Sequence, residues 1–147
     1  MAHEFKLRRT VEFAETDMAG IVHFSNFFRY MEATEHAFFR SLGLTLHQSE
    51  DGVMSGWARA DAQCKYVYPL RYQDEFDVHL VVQAKTASTI TYRFDFRLDG
   101  REVARGSLRV VCVTRSATDE RMRARPMPAE VDERVEVAPR ELLTTQD

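Results

Sequence analysis

The sequence predicts an α+β fold in which an antiparallel sheet curls around one long helix. Three observations carry this: a single long amphipathic pattern near residues 26–42, four later segments alternating apolar and polar residues, and an Asp99-Gly100 hairpin signal between two of them. Alternation with one apolar face marks antiparallel strands packed on one side. A strand before the helix and four after it give five strands and one buried helix, an α+β arrangement.

Phe5 to Phe13 reads as the first strand, with Phe5, Leu7, Val11 and Phe13 facing one way. The helix runs from about Asn26 to Leu42. Ser25 or Asn26 is the expected N-cap, because either side chain can accept from an orphan N–H of the first turn. Gly43 ends the helix, since glycine accepts the left-handed C′ conformation. Phe27, Tyr30, Met31, Thr34, Phe38 and Leu42 follow helical spacing, and Phe28 and Phe39 widen the apolar surface. Most of these aromatics are expected to be core, with only the N-terminal ones near a ligand.

A polar loop, Thr45 to Ser55, leads to strands at Trp57–Tyr66, stopped by Pro69, and at Glu75–Lys85, where Phe76, Val78, Leu80 and Val82 share a face. In Thr89–Leu98, Ile90, Tyr92, Phe94, Phe96 and Leu98 share the inner face. Asp99-Gly100 then opens a hairpin into Val103–Thr114. A three-residue loop, pairing Ala104 with Phe94 and Leu108 with Ile90, is preferred to a two-residue one, which would turn Arg105 and Arg109 inward. A helix of about 17 residues and an eight-residue strand both span roughly 25 Å, so the two match in length. Pro126-Met127-Pro128-Ala129-Glu130 can start a short last helix. Residues 1–137 read as one domain, and 138–147 as a frayed C-terminal tail.

The chain has 147 residues, 44% of them hydrophobic, enough for a core of ordinary size. Its net charge of −3 gives no reason to expect nucleic acid or an anionic membrane as a partner. The start, Met1-Ala2-His3-Glu4-Phe5-Lys6, lacks an apolar leader, and no run is long enough to span a membrane, so a cytoplasmic location is the default expectation. Cys64 and Cys112 fall in strand patterns at no metal-ligand spacing and read as buried free thiols. The five histidines are scattered, so no metal site and no cofactor is expected. Gly-rich phosphate loops and a Gly-x-Ser-x-Gly elbow are absent from the sequence, which disfavours nucleotide chemistry and a serine hydrolase.

The stretch with chemistry in it is Glu15-Thr-Asp-Met-Ala-Gly-Ile-Val-His-Phe-Ser-Asn-Phe-Phe-Arg-Tyr30. Asp17 lies in a short Gly-containing loop leading straight into the long helix. There a carboxylate stands beside free backbone N–H groups, which can polarise a carbonyl. A carboxylate can attack an acyl carbon or deprotonate the attacking water. Glu15 is the runner-up acid, sharing a face with Asp17 if the chain is extended there. Gly20 allows close backbone approach, the His23 and Phe24 amides are the candidate oxyanion donors, and the His23 side chain can contact the acyl group or a water.

This segment resembles the Asp-x-x-Gly-[Ile/Val]-Val-x-[Tyr/His]-x-x-[Tyr/Phe] signature of hotdog-fold acyl-CoA thioesterases, the 4-hydroxybenzoyl-CoA thioesterase family. The likeness runs from about Phe5 to Met127 and includes the Pro69-Leu-Arg-Tyr-Gln-Asp-Glu75 turn. It implies a hotdog fold, a homodimer or homotetramer with sites between subunits, and hydrolysis of acyl-CoA to acid and CoA without a cofactor. On that resemblance Asp17 is the catalytic carboxylate and the Phe24 backbone N–H the polarising donor. Ile21, Val22, His23 and Phe27 would line the acyl site, joined by Trp57, Ala58 and Arg59 from the neighbouring chain. Where one branch of the family has a basic cluster this chain has Lys85-Thr-Ala-Ser88, so Lys85 is the weak candidate for the CoA phosphates, beside Arg71, Arg115, Arg121, Arg123 and Arg125. Phe24 also stands where one branch of the family uses a histidine, and cannot transfer a proton. Release of acyl groups from an acyl carrier protein, and non-catalytic acyl-CoA binding, are the alternative functions.

Overall fold

In the computed structural model, which describes residues 1–144, the chain folds as strand β1 (Glu4–Thr10), helix α1 (Asn26–Ser41), and strands β2 (Gln48–Glu50), β3 (Val53–Tyr66), β4 (Glu75–Lys85), β5 (Thr89–Leu98), β6 (Arg101–Ser116) and β7 (Asp119–Ala124). Two short helices follow, α2 (Ala129–Arg134) and α3 (Arg140–Leu143). The strands form one antiparallel sheet in the order β1-β4-β5-β6-β3-β2, with β7 pairing to β6 beyond the end of β5.

The long helix and the sheet bury each other. Phe27, Tyr30, Met31, Phe38 and Phe39 of α1 are buried against Phe76, Val78 and Leu80 of β4, Ile90 to Phe96 of β5, and the alternate residues Ala104, Leu108 and Val110 of β6. The approach is closest at Gly106, where a Cβ would lie 2.4 Å from the Met31 sulfur. Any larger residue there would displace the helix side chain.

The α+β class and the wrapped helix hold, but the sheet has seven strands rather than five. The two extra ones, β2 and β7, are almost wholly exposed, so neither carries the apolar alternation that reveals a strand. For the same reason β3 begins at Val53, four residues before the expected start. β1 ends at Thr10; Phe13 lies in a 3₁₀ turn and is 75% exposed, not on the core face.

The β5–β6 hairpin differs from both expected registers. Its turn has two residues, Asp99 and Gly100, each with positive φ (50° and 78°). A bulge then shifts the pairing so that Phe96 faces Ala104, Phe94 faces Gly106 and Ile90 faces Val110. The extra residue is Val103, whose carbonyl accepts the amides of both Val67 and Tyr68. Alternation correctly put Ala104 and Leu108 inside, because a shift of two residues preserves the face. The segment after Ala138 is also not loose as far as Thr144: the Ala138 amide donates to Val82 O, and Arg93 donates to the Leu142 and Leu143 carbonyls at the end of α3. Residues 145–147 of the expected tail lie outside the described residues.

Candidate active site

The loop between β1 and α1 is a closed, hydrogen-bonded excursion. At its neck the Asp17 amide donates to Ile21 O, the His23 amide to Glu15 O, and the Val22 amide to Leu70 O in the turn after β3. The Asn26 side chain adds a second donor to Glu15 O at 2.8 Å. Asn26 therefore braces the loop instead of capping its helix, and Ser25 makes no side-chain cap either. The Ser25 hydroxyl meets His23 Nδ1 at 2.8 Å, and the Ser25 amide points at the same nitrogen. An amide only donates, so this network assigns the lone pair to Nδ1 and any neutral-ring proton to Nε2.

At the tip, the Gly20 amide donates to Asp17 O, and the Ala19 amide to Asp17 Oδ1 at 2.8 Å. This is an Asx turn, which orients the half-buried carboxylate. Gly20 has φ +80° while a Cβ there would meet nothing within 4 Å. Glycine is required for the backbone angle, and close approach is not the reason.

The amides after His23 are satisfied one by one, with a single exception. Asn26 N–H donates to His23 O, Phe27 N–H to Phe24 O and Phe28 N–H to Ser25 O. The Phe24 N–H has no partner among the described residues. Asp17 and Phe24 both line a groove of about 450 Å³, together with Ile21, Val22 and Phe27. Its other wall is the end of β3 and the turn beyond, Tyr66 to Leu70. Asp17 also lines a second groove, of about 550 Å³, between Phe13, Met18, Gly20 and Tyr72. Asp17 thus lines both grooves.

Glu15 occupies a different setting. Its carboxylate accepts the Glu12 amide at 2.8 Å and lies 3.8 Å from the Arg9 guanidinium, which in turn sits over the Tyr30 ring. Burial, then the Glu15 charge, push the Tyr30 hydroxyl well above its ordinary range. Glu15 frames the loop from below, and neither groove touches it.

Trp57, Ala58 and Arg59 are not at the Asp17 groove of their own chain. They line a separate groove of about 410 Å³ with His47, Met54 and Met122. Arg59 is clamped there by two glutamates of α1: Glu35, fully buried, at 2.7 Å, and Glu32 at 3.2 Å. Burial raises the Glu35 pKa and Arg59 opposes the rise. Among the phosphate candidates, Lys85 directs its Nζ at the carbonyls of Asp132 and Val135 and at the Asp132 carboxylate, all within 2.9 Å. It caps the end of α2 and has no donor left for a phosphate. Arg121 and Arg123 are paired with Asp119, and Arg125 points at the Cys112 sulfur. Arg71 makes no ion pair among the described residues and stands beside the Asp17 loop, where its backbone bridges Ile21. Cys64 and Cys112 are free, and burial pushes the Cys64 thiol up to about 11.

The wall that sequence reasoning missed is Tyr66-Val67-Tyr68-Pro69-Leu70. Two aromatics on one face, Tyr66 and Tyr68, just before a strand-ending proline were its available signal.

A seven-stranded antiparallel sheet wrapped around a central helix is a hotdog fold. A family model described as the thioesterase-like superfamily matches residues 11–135. The chain belongs to that superfamily. A solved structure of a hypothetical protein from Aquifex aeolicus is 32% identical, with a TM-score of 0.78 over 90% of this chain and 99% of that one. The 4-hydroxybenzoyl-CoA thioesterase from Pseudomonas sp. strain CBS-3 is 22% identical, with a TM-score of 0.76 over 90% of this chain and 99% of that one. A 1,4-dihydroxy-2-naphthoyl-CoA hydrolase of Prochlorococcus marinus (strain NATL1A) is 25% identical over 114 residues, 73% of this chain and 76% of that protein. Among the described residues no helix is long and apolar enough to cross a membrane.

Proposed function

We propose that this chain hydrolyses an acyl-CoA thioester, with Asp17 as nucleophile or general base and the Phe24 N–H as the donor to the carbonyl oxygen. The observation that carries it is the pairing, in one groove, of a carboxylate oriented by its own loop with a backbone amide left unsatisfied. A preorganised donor of this kind stabilises the oxyanion of the tetrahedral intermediate. In the base route Asp17 takes a proton from water, the oxygen bonds to the acyl carbon, the C–S bond breaks, and the thiolate leaves with that proton. In the nucleophilic route Asp17 bonds the acyl carbon, expels the thiolate, and the resulting anhydride is opened by water. Both yield acid and thiol.

The two grooves that share Asp17 suit the two arms of a thioester. The one walled by Phe24, Phe27 and Tyr66 takes the acyl group, and the one between Phe13 and Tyr72 takes the thiol arm; Arg71, whose backbone bridges Ile21 of the loop, is the candidate for a phosphate. Aromatic walls favour a flat acyl group. The names of the two similar enzymes refer to hydroxylated aryl-CoA esters, which supports that class as the first to assay.

The site is completed by a second copy of the chain. Beyond Ser55 the outer edge of β3 pairs with no strand among the described residues, and Trp57, Ala58 and Arg59 lie on it. An open edge of this length is a template for another strand. Pairing edge to edge would carry those residues toward the partner's Asp17 groove, giving a homodimer with shared sites. Asp17→Asn is expected to fold normally and to lower turnover by about 10²–10⁴ across aryl and aliphatic acyl-CoAs in a thiol-release assay. Turnover close to the parent's would remove Asp17 from the mechanism.

A further inference from the structure

We propose that Tyr66 is a positioning residue for the oxyanion donor, its hydroxyl locking the Phe24 peptide from the neighbouring strand; this rests on the reading that the Phe24 N–H polarises the thioester.

Phe24 lies in the gap between the loop and α1, where no helical or sheet ladder holds its backbone. A donor is effective only if it is aimed before charge develops. Two peptide planes flank the Phe24 Cα, and each is held at its carbonyl. The plane that carries the Phe24 N–H is held at its other end, where His23 O accepts from Asn26 N–H at 2.9 Å. The next plane is held by the Tyr66 hydroxyl, which donates to Phe24 O at 2.9 Å across 42 residues of chain. The Phe27 N–H also reaches that oxygen, at a longer 3.3 Å. With both planes clamped, φ and ψ of Phe24 are set, and so is the direction of its N–H.

The phenol is itself held in aim. Its ring stands edge-on to the buried Phe27 at 5.1 Å and to Phe24 at 6.5 Å. Tyr66 ends β3, so the rigid sheet is what the clamp transmits. Burial, reinforced by the neighbouring Cys64, pushes the hydroxyl up to about 12, so it remains a donor throughout the neutral range. Its proton is committed to a carbonyl, which distinguishes it from an acid that protonates the leaving thiolate.

Tyr66→Phe retains the ring contacts and deletes only the hydroxyl. The expected result is a kcat lowered about 3–10-fold, the scale of one neutral hydrogen bond, with KM unchanged within about twofold. A ketone analogue of the thioester that hydrates to a tetrahedral form should lose affinity by the same factor, while the free CoA product should not. Parent-like kcat and analogue affinity would overturn the proposal. So would a raised KM with unchanged kcat, which would make Tyr66 only a wall of the groove. An unchanged melting temperature excludes a folding defect, and a melting loss with analogue selectivity intact would count against the proposal. Absence of thiol release by the parent chain would defeat the functional reading itself; an active parent with an indifferent Tyr66→Phe defeats this inference alone.

Discussion

The approach to one helix and its middle treat charge in opposite ways. At the start of α1, Asp17 makes one backbone hydrogen bond through its carboxylate and faces two grooves, and the Phe24 amide has no partner. Midway along, Glu35 is fully buried, yet both its oxygens meet the Arg59 guanidinium. Polar atoms left unpaired beside open space are available to a substrate. Polar atoms buried in the same helix must be matched within the protein, because an unmatched buried charge is prohibitive. On the proposed reading the first site serves reaction, while the Glu35–Arg59 pair holds β3 against the helix.

The sharpest way to test that division is to alter each site and ask which property moves. Asp17→Asn should abolish most turnover, about 10²–10⁴-fold, and leave melting unchanged. Arg59→Met should do the reverse in stability terms, losing roughly 3–5 kcal/mol by stranding a buried carboxylate. That loss depends on pH. Without Arg59, burial holds the folded-state pKa of Glu35 still further above its ordinary value. Stability contributed by a raised carboxyl is present in acid and lost as pH rises through the folded pKa. Melting curves at pH 5 and pH 8 should show the larger deficit at pH 8, and an equal deficit would mean Glu35 is not the stranded group.

Smaller changes probe the same contrast. Gly106→Ala forces a methyl into the Met31 thioether, and is expected to cost about 1–3 kcal/mol in chemical denaturation with kcat retained. Phe24→Ala should have only a small effect on kcat, well under the Asp17→Asn loss, because that side chain is 61% exposed and serves only as a groove wall, the donor being its backbone amide. A loss in kcat comparable with that of Asp17→Asn would assign the ring a role that the amide does not explain.

Much of this was legible in the chain. β4 and β5 have the limits their alternation indicates, and the helix ends at Ser41 with Gly43 in the left-handed region. β2 and β7 were not legible, since strands made mostly of exposed polar residues have no periodic signal. The Asp17 loop was legible from its glycine and the helix pattern after it. The groove's far wall was not, for it comes from residues about 50 positions later, brought in by Val22 pairing with Leu70 and by Tyr66 reaching Phe24. The surroundings of Lys85 were not legible either, since tertiary packing brings its Nζ to three acceptors around the end of α2.

By itself, then, the sequence determined the elements whose information is local: a period-two or helical apolar face, a turn needing positive φ, a carboxylate set just ahead of a helix. Only the tertiary structure decided which polar groups remain unsatisfied, because that depends on partners arriving from distant segments. The β5–β6 register belongs to the second kind, since its bulge exists to let the Val103 carbonyl receive two amides from the end of β3. So does the difference between Asp17, whose carboxylate meets one amide of its own loop, and Arg59, which two glutamates of α1 hold: side-chain type is written locally, whereas pairing is a property of the folded whole.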